Sequence, residues 1–150
     1  MRKFYERDGY KLLQSTATFE NLKLLASFWN DVSNQNKERF SDKVLRRLFV
    51  LNYAPNSMWT YFTSVYFMHY KDEDGSLEDD KFYTFLCKTT AFVWAYALTN
   101  PGLNSLRTPI FAEMVNIIKG KDVAFADYKF DIQQFKNIFN NYKFFNGRPL

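Results

Sequence analysis

The stretch SMWTYFTSVYFMHY, residues 57–70, decides the fold of this 150-residue chain. Its middle, FTSVYFM (62–68), is made of β-branched and aromatic residues that favour strands. The flanks argue the other way. Pro55 closes the segment before it, and Ser57 stands where a helix N-cap belongs. Apolar residues lie nearly all round the run, as in a helix at the centre of a core. The same choice arises at FVWAYAL (92–98), and the same answer follows. With 5 Gly and 4 Pro in the whole chain, hairpin turns are scarce. The expectation is an all-α irregular bundle of about six helices in a single helical domain, 1–150.

Outward from that centre, helix signals recur. Thr18 is read as the N-cap of a helix whose inner stripe is Leu22, Leu25, Phe28, Trp29 and Val32. Ser41 caps the next, with Val44, Leu45, Leu48, Phe49 and Leu51 facing inward. KDEDGSLEDD (71–80) is an acidic turn, and Ser76 with Asp79 forms a capping-box pattern opening a long aromatic helix over 77–98. Pro101 and Gly102 end it. A fifth helix runs from about Ser105 to Lys119, with Pro109 in its first turn and Gly120 as its stop. A sixth begins after Asp131, with Ile132, Phe135, Ile138 and Phe139 as its stripe. Residues 1–13 are another helix or a tail.

Composition limits function. Aromatics make up 20% of the chain, and the net charge is +4 with a pI near 9.1. The three successive fifties carry +4, −3 and +3. A basic balance of this size permits nucleic-acid contact without requiring it. Cys87 is alone, which excludes an internal disulfide and a multi-cysteine zinc site. MRKFYERDGY lacks the apolar core of a signal peptide, so the cytoplasm is the expected compartment. The most apolar run, 82–98, is interrupted by Lys88, Thr89 and Thr90 and is too short to span a membrane.

No motif for catalysis stands out. His69 is the only histidine, with no third group to orient it as a base. In DEDGSLE (72–78) the acids alternate as in a calcium loop. The glycine comes fourth instead of sixth, however, and the twelfth position is Tyr83. A turn feeding a helix N-terminus explains the same acids. Asp79–Asp80 and Glu113 show no paired-carboxylate pattern. No phosphate-binding loop is present, and no cofactor or metal is expected. The candidate nucleic-acid contacts are Arg46 and Arg47 on one helix, Arg107 at the start of another, and Lys119 and Lys121 at its end.

LTNPGLNSLRTPIFAEMVNIIKGK (98–121) with FDIQQFKNIFNNYKFFNGRPL (130–150) resembles the helical region of GmrSD-type proteins. These include modification-dependent (type IV) restriction endonucleases and other bacterial phage-defence nucleases. Asn104-Ser105-Leu106-Arg107 before a helix fits that pattern. So do Phe135, Tyr142, Phe144, Asn146 and Arg148 after it. VLRRLFVLNYAPNSMWTYFTSVYF (44–67) is similar to the family's step from helix through proline to apolar helix. The family's nucleotidase motif, Asp-Gly-Gln-Gln-Arg, and its HNH nuclease setting have no counterpart here. The resemblance therefore implies the non-catalytic middle of a larger protein, with NGRPL (146–150) leading into a further helix. Its expected role is to position catalytic domains and contact the DNA backbone. A freestanding protein-interaction module, with a homodimer as one form, is the rival reading. A small enzyme built on His69 or the 72–80 acids is the third.

Overall fold

The computed structural model describes residues 14–99, 105–125 and 128–141. Among them are six helices and no strand. They are α1 (Thr16–Ser33), α2 (Asp42–Asn52), α3 (Met58–Tyr70), α4 (Asp79–Thr99), α5 (Arg107–Ile118) and α6 (Ile132–Asn141). The chain is an all-α irregular bundle, and the two strand-like runs are both helical. The expectations for residues 1–13, Pro101, Gly102 and the aromatics from Tyr142 onward lie outside the described residues.

Packing is carried by aromatic rings. α3 buries Phe62, Tyr66 and Phe67, α4 buries Phe82, Phe85, Phe92 and Val93, and the two helices meet where Tyr66 stacks on Phe82 and Phe85. Phe28 stacks on Phe67 at 4.4 Å and meets Phe40 edge-on at 5.7 Å. Tyr66 stacks on Phe85 at 4.0 Å, and Phe85 leads to Phe62 at 4.9 Å. Phe62 meets Phe125, which lies flat on Phe92 at 4.0 Å and 7°. Offset and edge contacts of this kind add about 0.5–1.5 kcal/mol each beyond burial. The high aromatic share is thus spent on one continuous ring chain through the core. α2 packs on α4, and α5 packs on α3.

The helix ends are fixed by local chemistry, with some departures from the sequence pattern. Ser41 caps α2 by accepting from the Val44 amide at 3.5 Å. α1 begins at Thr16, with Ser15 at the N-cap position, so Thr18 lies inside the first turn. Ser57 holds the N-cap place of α3, but Asn56 accepts the Met58 amide at 3.0 Å instead. The capping box at Ser76 does not form, and α4 starts at Asp79. Asp79 accepts from the Ser41 hydroxyl at 2.9 Å and pairs with Lys43 at 3.1 Å, which joins the N-termini of α2 and α4. Ser76 turns back to Asp74 and Asp72. At the end of α5, Gly120 takes φ 69°. Its amide bonds to the Ile117 carbonyl, and that of Lys121 to the Asn116 carbonyl, the paired bonds of a Schellman stop.

Three residues placed inward by periodicity point out. Leu22, Phe49 and Ile132 are exposed. Leu25 and Trp29 are half-buried, and the Trp29 indole donates to the Ser64 hydroxyl at 2.9 Å. Among the described residues, no helix is long and apolar enough to cross a membrane.

Candidate nucleic-acid interface

The predicted cations fall into two groups, and the structure adds Lys43 to the first. Lys43, Arg46 and Arg47 border one groove of about 490 Å3 on the outer side of α2, together with Asp42, Val50 and Tyr83. α2 forms because Val44, Leu45, Leu48 and Leu51 make one buried stripe, and that stripe turns the arginines away from the core. Arg46 is exposed and makes no ion pair among the described residues. Arg47 is half-buried, its guanidinium 5.8 Å from the Tyr83 ring centre. Lys43 is engaged by Asp79 and Asp80 and lies 5.3 Å over the same ring. Exposed apolar groups continue this face. Phe49, Val50 and Tyr53 follow Arg46 at three, four and seven residues, and the Phe49 and Tyr53 rings touch edge-on at 5.2 Å.

The second group belongs to α5. Arg107 opens the helix and Lys119 closes it, roughly 18 Å away at 1.5 Å per residue. Lys121 follows the Gly120 turn. All three are exposed, and none forms an ion pair among the described residues. The five predicted residues therefore lie where the sequence placed them, Arg46 and Arg47 together on α2 and the other three spread between the two ends of α5.

No protein-family model, curated protein or solved structure matches this chain.

Outside these groups, one polar network is structural. Arg39 donates to Asp31 at 2.6 Å and to the Gly75 carbonyl at 2.5 Å, pinning the acidic turn to the end of α1. Asp31 is held below the ordinary carboxylate value by its bonds from Asn36 and Arg39. For Asp79, burial pushes upward, but the Ser41 and Lys43 bonds outweigh it and the net shift is downward. His69 is exposed at the end of α3 with its ring edge-on to Tyr70 at 4.7 Å. Cys87 is half-buried. A cleft of about 540 Å3 is lined by Tyr66, Tyr70, Lys81, Lys88 and Asp122 among others. Burial pushes the Tyr66 hydroxyl up to about 12, so it stays protonated at neutral pH. No three histidine, cysteine or acidic side chains among the described residues are gathered to hold a metal.

Glu113 has a role that the sequence reading missed. It is buried on α5, and its carboxyl accepts from the Phe125 amide at 2.7 Å and from the Ala124 amide at 3.4 Å. The Asn116 side chain donates to the same group at 3.4 Å. Lys88 donates to the Val123 carbonyl at 2.9 Å. Together they strap residues 123–125 onto the bundle and hold Phe125 at φ 48° between Phe62 and Phe92. The signal was present in the sequence. Glu113 shares a helix face with Ile110, Met114 and Ile117, which marks a carboxylate that must find donors inside.

Proposed function

We propose that this chain is a non-catalytic helical module of a bacterial DNA-targeting defence protein, touching the phosphate backbone through the outer groove of α2. Catalysis belongs to companion domains. The observation that carries the reading is that Lys43, Arg46 and Arg47 border one groove. Arg46 is exposed, and cations on a rigid helix are suited to phosphate oxygens, because phosphate contact needs charge and reach but no base-specific geometry. The resemblance of 98–121 and 130–150 to the helical region of GmrSD-type proteins points the same way.

The test is fluorescence anisotropy with a labelled 20-base-pair duplex across a salt series. Each phosphate neutralised contributes about 0.9 to the slope of log K against log salt. Arg46→Ala/Arg47→Ala should therefore lower the slope by roughly 1.8 and weaken binding at low salt. Absence of binding at low salt, or an unchanged slope in the double variant, removes the reading. The exposed Phe49–Tyr53 pair beside Arg46 favours a second reading, a protein-interaction module with no nucleic-acid role. That reading gains if Phe49→Ser/Tyr53→Ser abolishes self-association in sedimentation while DNA binding is absent throughout.

A further inference from the structure

α5 carries an outward stripe that is left exposed among the described residues. Phe111 is 58% exposed, Val115 42% and Ile118 64%. Scattered apolar groups on a surface are ordinary. These three are not scattered, because spacings of four and three residues align them on one face of the helix. Their patch is on the order of a few hundred Å2, the size at which the largest apolar patch of a monomer is often functional.

The charges around the stripe say what covers it. Arg107 stands at one end, and Lys119 and Lys121 at the other. From Ser105 to Lys121 the only carboxylate is Glu113, and it is turned inward to the strap. Asp122 lies past the Gly120 turn, in the cleft that Lys88 and Val123 also line. Arg107 is also badly placed for the helix itself, since a cation at an N-terminus opposes the dipole. A second copy of the chain fits poorly. Paired antiparallel across a two-fold axis, α5 would bring Arg107 against Lys119, and paired parallel it would set like residues side by side. Either way cations meet cations, which opposes pairing.

From this placement we infer that the outer face of α5 docks an amphipathic helix of a different protein segment, with apolar residues at i, i+3/i+4 and i+7 and acidic residues flanking them. The inference is independent of the DNA reading. The apolar stripe supplies contact, as in helix-on-helix recognition, and the terminal cations set partner and register. The ends of α5 are fixed by buried Leu106 and by the Gly120 stop, so little ordering is needed on binding.

The test is selection from a displayed library of helical peptides about 16 residues long, randomised in apolar and charged positions. Peptides with the apolar stripe and acidic flanks should be enriched. Phe111→Ser/Ile118→Ser should weaken their binding at least ~10-fold, with the helical circular dichroism unchanged because both side chains face solvent. Arg107→Glu/Lys119→Glu should turn the selection toward basic flanks. The inference is overturned if enrichment is no greater than on the double-serine variant, or if selected flanks are uncharged or basic on the native chain. It also fails if the chain sediments as a dimer that the double-serine variant dissociates.

Discussion

Replacing Glu113 by alanine removes the acceptor for two backbone amides and one side-chain amide at once. The Phe125 amide suffers most. Its bond is 2.7 Å long and buried. Leaving a buried donor unsatisfied costs about 1–3 kcal/mol. The two bonds at 3.4 Å are long and add less. Some of the loss is offset because a buried carboxyl no longer has to be desolvated. The net expectation is a loss of about 2–3 kcal/mol. For a chain of this length each kcal/mol shifts the melting temperature by roughly 2–4 °C, so Glu113→Ala should melt about 4–12 °C lower. Glu113→Gln keeps an acceptor oxygen for Phe125 and should lose less than half as much. Urea denaturation followed by circular dichroism gives the free energies. Hydrogen exchange at the Phe125 amide gives the local effect. Glu113→Ala and Phe125→Ala act on one strap, so their combined cost should fall short of the sum of the single costs. The strap argument is refuted if Glu113→Ala changes stability by less than about 0.5 kcal/mol, or if the two substitutions add without coupling.

Other perturbations separate backbone strain from packing. Gly75→Ala puts a Cβ 3.1 Å from Leu24 at a φ of +83°, so it should cost more than Gly120→Ala, which meets nothing within 4 Å at φ +69°. About 2 kcal/mol against about 1 kcal/mol is expected in urea melts, and the reverse order would contradict the geometry. Arg39→Met should loosen the 72–76 turn and destabilise by about 1–3 kcal/mol, seen as faster proteolysis there. Asp31 and Asp79 both have folded values below the ordinary 3.8. The unfolded chain therefore binds protons first, so their contribution is present above pH 3.8 and is lost as pH falls through the lowered values. Urea midpoints should drop in that acid range, and Asp31→Asn/Asp79→Asn should flatten the drop.

Much of the bundle was legible because its signals are local. Pro55, Ser41 and Gly120 act on neighbouring residues, and each marks its helix end as expected. Tertiary partners were less legible. Asp79 leaves Ser76 because Ser41, 38 positions earlier, presents a hydroxyl and an amide to it. Phe49 and Leu22 match the helical period of the core and yet face water. Periodicity assigns a face to a residue, but only the neighbouring helices decide how wide the covered face is. The candidate interface was half legible. The adjacency of Arg46 and Arg47 is in the sequence, whereas the groove they share with Lys43 and Tyr83 needs α4 beside α2. The outward stripe on α5 was not singled out in the sequence, since Phe111, Val115 and Ile118 are as apolar as the residues that are buried.

The Trp29–Trp59 pair has an optical consequence. The two indoles stand 5.7 Å apart and are inclined at 68°, one on α1 and one on α3. Ultraviolet transitions at that separation and tilt couple, and a coupled pair gives a two-lobed circular dichroism signal of its own. The signal vanishes when the rings part, even if both helices persist. It therefore reports the docking of α1 separately from helix content. A chain that kept its helices but lost this couplet would have let α1 swing away while the ring stack between α3 and α4 stayed closed.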